Sequence, residues 1–276
     1  MPSAIFIVIC FADINFIKMN ISLIQSDIFW ADIQSNLRKT EKDLASLSGK
    51  TDLAVLPEMF TTGFCTDRLD LAETMEGETV QKLKSWAVHY KMAITGSFIA
   101  REDNKIFNRA FFVFPDGKLR TADKRHLFSV GGEHRYFSAG NDKLIVNYCG
   151  MNICVLVCYD VRFPVWSRNR NNEYDLLIYT ASFPHARMDA WDALLKARAI
   201  ENQAFVCGVN RVGVDGENIR YSGHSVLLDY KGKTLLDFQE YEAGIKTAEI
   251  STSELEKFRK KYAFWKDADD FEIKGL

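Results

Sequence analysis

Three polar side chains stand where strongly apolar stretches of the chain give out, and together their types could carry out acyl transfer. Glu58 closes the run Leu53-Ala54-Val55-Leu56-Pro57-Glu58. A carboxylate on the lip of a buried strand is partly desolvated, which suits it to take up a proton. Lys124 follows a short strand in Thr121-Ala122-Asp123-Lys124-Arg125-His126, where an ammonium could polarise a carbonyl and stabilise a developing oxyanion. Cys158 ends Ile153-Cys154-Val155-Leu156-Val157-Cys158, and Tyr159-Asp160-Val161-Arg162-Phe163-Pro164 leads into a helix. A nucleophile at a strand-to-helix turn is exposed, held in position by strain and close to backbone N–H groups. Its thiolate is favoured by a helix N-terminus and a neighbouring ammonium. Each residue alone also admits a plain reading: a strand-end glutamate in water, a surface lysine, a packed and inert cysteine such as Cys154.

The elements that must position these groups alternate short β-rich runs with longer amphipathic stretches. Strands are expected at 21–24, 53–56, 92–99, 175–181, 204–209, 222–229, 233–237 and 244–250, and helices at 32–47, 79–90, 165–171, 189–203 and 251–262. Residues 107–114 and 118–123 form a hairpin around Pro115-Asp116-Gly117, a strong turn signal. Residues 144–148 and 152–157 form a second pair. Hairpins mixed with βα units exclude a purely parallel barrel and an ordinary doubly wound sheet. Two mixed sheets packed face to face and covered by helices fit the pattern, and strands covered on both faces account for the continuous apolar runs.

The bulk composition narrows the function. Of 276 residues, 47% are apolar and 26% charged, and 35 basic against 37 acidic side chains leave a net charge of −2. Nucleic acid or an anionic membrane surface as main partner would need a concentrated basic field. The basic run Arg259-Lys260-Lys261 reads as a solvated helix face. Six cysteines, at 10, 65, 149, 154, 158 and 207, include no C-x-x-C pair, and five histidines lie apart from them. Neither a zinc site nor a disulfide framework is favoured, which points to a reducing cytoplasm. A strand running through Cys154 and Cys158 would turn both to one face. Near the N-terminus, the apolar run from Ile5 stops at Asp13, well short of the ~20 residues that span a bilayer. Met19 opens a good first strand. Residues 1–18 therefore read as an extension upstream of the natural start, with a weak signal peptide as the alternative, and 19–276 as a single domain.

Taken in order, Leu56-Pro57-Glu58-Met59-Phe60, Asp123-Lys124-Arg125-His126-Leu127-Phe128 and Cys158-Tyr159-Asp160-Val161-Arg162-Phe163-Pro164 resemble the three motifs of the nitrilase superfamily. The likeness continues through residues 190–203 and Val209-Asn210-Arg211-Val212-Gly213, and looks especially like the bacterial omega-amidase branch. This resemblance implies a four-layer αββα sandwich and a triad with Glu58 as base, Lys124 as cation and Cys158 as nucleophile. Glu133, in Gly131-Gly132-Glu133-His134, fits the family's second glutamate. The backbone N–H of Tyr159 would join Lys124 in holding the oxyanion. The substrates implied are 2-oxo dicarboxylic acid monoamides, hydrolysed through a cysteine thioester without metal or organic cofactor, by a homodimer. Such a substrate carries a carboxylate, for which Arg187 is the candidate partner, and Phe64, Phe128, Phe183 and Trp191 are candidate walls of a narrow pocket. Arg198 and Glu201, at i and i+3, should form a structural ion pair. The competing readings are an N-carbamoyl amine or amino-acid hydrolase, a general aliphatic amidase, and a non-catalytic binding protein on the same fold.

Overall fold

The computed structural model describes residues 17–273, so Cys10 and most of the expected N-terminal extension lie outside the described residues. The two extension residues that are described belong to the body. Lys18 opens the first strand opposite Ser251, and the Ile17 carbonyl accepts from the Thr252 amide at 3.2 Å.

Two six-stranded sheets repeat one plan. In the first, β1 (Lys18–Gln25), β2 (Leu53–Val55) and β3 (Ala93–Glu102) run parallel. The antiparallel β4 (Lys105–Val113) and β5 (Leu119–Asp123) extend one edge, and β14 (Gly244–Ser251) closes the other. In the second, β7 (Met151–Val157), β8 (Leu176–Ala181) and β9 (Phe205–Asn210) run parallel. Here β6 (Leu144–Tyr148) flanks one side, and β12 (Val226–Leu228) with β13 (Thr234–Asp237) the other, all antiparallel. A separate ribbon pairs β10 (Val212–Val214) with β11 (Arg220–Ser222).

Burial follows from the two-residue alternation of strand side chains. On β2, Leu53 and Val55 enter the core between the sheets, with Phe112, Val146 and Ile153. Ala54 faces the other way, toward α1 (Ile33–Ser46) and α2 (Glu78–Tyr90), where Leu37, Leu44, Leu83 and Trp86 cover the first sheet. On the second sheet α4 (Met188–Asn202) packs through Trp191, Leu195 and Ala199, and α5 (Thr252–Lys261) through Leu255. The layers are helix, sheet, sheet, helix, as the sequence predicts. Local signals hold as well. The Asp32 carboxylate caps α1 by accepting from the Ser35 amide at 3.0 Å. Gly117, at φ 82°, closes the β4–β5 hairpin in a conformation that suits glycine.

Three expectations give way. The helix over 165–171 is only one turn, α3 (Pro164–Ser167), because the Asn169 side chain turns the chain by bonding Tyr174 from both ends of its amide. The strand over 222–229 splits between β11 and β12, which lie in different sheets. Arg259 is buried rather than solvated, donating to the Gln203 and Tyr174 carbonyls and to Asp175 at 2.6 Å. Lys260 and Lys261 remain exposed.

The middle strands of the two parallel triplets are tied to each other at their C-terminal ends. Thr180 Oγ1 donates to the Leu56 carbonyl at 2.8 Å, and the Glu58 amide donates to the Ala181 carbonyl at 3.4 Å. Thr180→Val should therefore cost about 1–3 kcal/mol, by stranding a buried carbonyl, read as a lowered urea midpoint at unchanged slope. A second expectation concerns alkaline pH. Burial pushes the Cys154 thiol from 9.0 to about 12, and burial pushes Cys207 up as well. Between those values the unfolded chain loses these protons and the folded chain keeps them, so stability falls as pH rises, by about 1.4 kcal/mol per unit per thiol. Urea titrations on either side of that onset should show the decline, and Cys154→Ala should make it shallower.

Candidate active site

Glu58 lies three residues beyond the end of β2. Leu56 and Pro57 carry the chain out of the sheet, with the Leu56 amide still donating to the Thr95 carbonyl at 2.8 Å. The carboxylate is fully enclosed rather than lying in water. Its Oε1 accepts from Lys124 Nζ at 2.8 Å and Asn108 Nδ2 at 2.7 Å, and its Oε2 from the Ser182 amide at 2.9 Å. Ser182 follows β8, so the carboxylate from one sheet is completed by the backbone of the other.

Lys124 directly follows β5, its amide donating to the Asn108 carbonyl of the neighbouring β4 at 2.9 Å. Its ammonium also has no exposure, and it donates to Glu133 Oε2 at 2.9 Å and Oε1 at 3.2 Å. Burial alone would push this ammonium down. The Glu133 and Glu58 carboxylates outweigh that effect and hold Lys124 well above the usual lysine range. Glu133 is aimed by the loop 128–133, which closes on itself. The Phe128 amide donates to Glu133 Oε2 at 2.6 Å, and the Glu133 amide returns to the Phe128 carbonyl at 3.2 Å. Gly131 permits this closure, because a Cβ there would fall 2.5 Å from the Phe128 ring. Burial pushes the Glu133 carboxyl up, with Lys124 pulling against it.

Cys158 opens the turn after β7 at φ 43°, in the left-handed region, a strained state for a residue with a side chain that costs about 1–3 kcal/mol. Several bonds hold it there. Asp160 Oδ2 accepts from the Val157 amide at 3.1 Å, while its Oδ1 takes the His126 amide at 3.1 Å and pairs with His126 Nδ1 at 2.8 Å. The Asp160 side chain thus ties the cysteine turn to the segment that carries Lys124. From α4, Arg198 Nη2 donates to the Val161 carbonyl at 2.7 Å, and Arg198 Nη1 to Glu201 at 2.7 Å, the ion pair predicted from spacing. The thiol is buried rather than exposed, at 8%. Burial, and then the Glu58 carboxylate, push it well above the usual thiol range against the pull of Lys124. The amide of Tyr159 stands at the N-terminal end of this turn, where N–H groups lack acceptors within the turn.

Lys124 and Cys158 both line a cavity of about 130 Å³. Phe64, Phe128 and Phe183 wall it as expected, and Arg187 lines it. Trp191 does not. It is fully buried behind Phe183, ring centroids 5.1 Å apart, with its indole N–H donating to the His224 carbonyl. The structure adds three features that sequence reading passed over. Arg162 lines the cavity together with Arg187, and β11 and the segment joining it to β10 contribute Asp215, Glu217, Ile219 and Tyr221. Asn108 joins Glu58 to Glu133 from mid-strand. Only Asn108 left a usable signal, a carboxamide interrupting an apolar strand. Arg187 lies 4.9 Å from the Phe128 ring centre and Arg162 5.5 Å from that of Phe183. Among the described residues neither guanidinium is paired with a carboxylate. Among those residues no group of three or more metal-binding side chains is placed to hold an ion, and no helix is long and apolar enough to cross a membrane.

The chain is similar to known proteins over most of its length. The chain is 40% identical to omega-amidase YafV of Escherichia coli (strain K12) over 92% of its length and 98% of that protein's. It is 34% identical to the 2-oxoglutaramate amidase of Bacillus subtilis (strain 168), over 91% and 97%. The crystal structure of XC1258 from Xanthomonas campestris, a CN-hydrolase superfamily protein with an arsenic adduct in its active site, superposes with a TM-score of 0.91 at 40% identity, covering 93% of this chain and 99% of that one. The carbon-nitrogen hydrolase sequence profile matches residues 20–260. With the two-sheet fold and the enclosed glutamate, lysine and cysteine, these matches show that the chain belongs to the carbon-nitrogen hydrolase family, and so is a hydrolase acting on amide C–N bonds.

Proposed function

We propose that this hydrolase is an omega-amidase, releasing ammonia from the terminal amide of 2-oxo dicarboxylic acid monoamides such as 2-oxoglutaramate and 2-oxosuccinamate. The observation that carries this reading is the pair Arg162 and Arg187, two guanidiniums without carboxylate partners among the described residues, over aromatic rings in a small cavity that Cys158 also lines. A short substrate with an amide at one end and a carboxylate at the other suits that polarity. The names of the Escherichia coli and Bacillus subtilis relatives support it. The reading carries with it a single domain, working in the cytoplasm as a homodimer.

The chemistry follows from the charges. Burial, and then the Glu58 carboxylate, push the Cys158 thiol up, which favours attack of its sulfur on the amide carbonyl as Glu58 takes the proton. The oxyanion is met by the Lys124 ammonium and the Tyr159 N–H, each such donor being worth about 3–4 kcal/mol. Glu58 returns its proton to the nitrogen as the C–N bond breaks, ammonia leaves and an acyl thioester remains. Water then attacks the thioester with Glu58 as base, yielding the carboxylic acid and restoring the thiol. Glu133 keeps Lys124 charged and in place throughout.

Ammonia release should be followed from 2-oxoglutaramate, 2-oxosuccinamate, glutamine, an N-carbamoyl amino acid and a simple nitrile. The 2-oxo amides should be preferred, and Cys158→Ala should abolish turnover. Preference for the carbamoyl compound or an uncharged amide would discard the substrate assignment, and activity surviving in Cys158→Ala would discard the thiol mechanism. Arg187→Met and Arg162→Met should each raise KM for 2-oxoglutaramate by about 10–100-fold, as loss of a charge-assisted hydrogen bond implies. An uncharged short amide should be little affected, and equal effects on both would remove the arginines from substrate recognition.

A further inference from the structure

Asn108 lies fully enclosed in the middle of β4, between Phe107 and the buried run from Ala110 to Val113. A carboxamide in such a place is costly unless its polar atoms are matched. Its Nδ2 donates to Glu58 Oε1 at 2.7 Å and to Glu133 Oε1 at 3.1 Å. The amide is oriented with its nitrogen, the donor, toward an oxygen of each acid. Its Oδ1 has no hydrogen-bond partner among the described residues. Placement in the strand therefore serves the nitrogen.

Lys124 bridges the same two carboxylates. One ammonium cannot neutralise two buried carboxylates, and like charges at close range drive one of them to hold a proton. The carboxamide supplies a second bridge, using one N–H for each acid. We propose that Asn108 is a positioning residue for hydrolysis, holding Glu58 beside Glu133 in its ionised form so that Glu58 reaches the thiol without a proton. The titratable groups facing Glu58 are Lys124 after β5, Glu133 from the following loop, Cys158 after β7 and Tyr221 on β11. Of these only Lys124 brings positive charge. Burial pushes Glu133 up, and Asn108 is among the groups drawing it back. The proposal rests on Glu58 as base and Cys158 as nucleophile.

The test is the pH profile of kcat/KM in Asn108→Asp and Asn108→Ser, beside the rate of Cys158 alkylation by iodoacetamide, which needs no substrate. In Asn108→Asp the acid limb of both profiles should move up by about one pH unit, a tenfold loss below the limb recovered above it. Asn108→Ser keeps one donor and should fall between. Unmoved acid limbs in both variants, with only the melting temperature lowered, would overturn the proposal and leave Asn108 a structural residue. Should a variant not fold, the wild type still decides. Infrared spectra with labelled glutamate should show no protonated carboxyl at neutral pH that vanishes in Glu58→Gln, and such a band would be contrary to the proposal. Failure of the underlying reading looks different: Glu58→Gln would then turn over substrate and react with iodoacetamide as the wild type does.

Discussion

The interaction on which the rest of this structure depends is the enclosed cluster of two carboxylates around one ammonium, Glu58, Lys124 and Glu133, with no solvent access to any of the three side chains. Ions removed from water are tolerated only when every one is paired and its remaining hydrogen-bonding capacity is met. The cluster therefore dictates where other groups must be: the Ser182 amide on Glu58, the Phe128 amide on Glu133, and the Asn108 nitrogen on both. Those partners come from two sheets and a loop, so the cluster exists only in the assembled molecule.

The two-sheet plan makes this convergence possible. Parallel strands β2 and β8 occupy corresponding middle positions in their sheets, and their C-terminal ends meet through Thr180, Ala181 and Ser182. Antiparallel β5 and parallel β7 deliver Lys124 and Cys158 to the same region. Because the ends leave from sheets packed on a common core, small movements of one element are resisted by all of them. The strained backbone of Cys158 is kept in the same way, over-determined by Asp160 from within its turn and by Arg198 from α4.

Beside this cluster the cavity is of a different kind. Three phenylalanines are among its walls, and two of its cations, Arg162 and Arg187, lie over rings rather than in ion pairs among the described residues. A guanidinium on a ring face keeps its hydrogen-bond donors directed to the side, available to a bidentate acceptor. The ion-paired charges thus belong to the enclosed cluster, and the two arginines without carboxylate partners among the described residues line the cavity.

How much of this was legible in the chain depends on the range of the interaction concerned. Alternation and continuous apolar runs are local, so the strands, the main helices and the layered α/β architecture could be read from them. Glu58 and Cys158 stood out because each ends such a run, Lys124 because it follows a strand, and Arg198 and Glu201 because helical spacing brings i and i+3 together. Where a residue's surroundings come from distant segments, the chain was silent or misleading. Arg259 looked solvated but meets Tyr174, Asp175 and Gln203. Trp191 looked like a pocket wall but stands behind one. Asn108, Arg162 and the β10–β11 ribbon acquire their positions only when sheets are packed. Residue type and short spacing determined which groups were fit for the chemistry. Tertiary structure alone decided which of them meet, because desolvation and pairing of charge arise from packing between segments far apart in the chain.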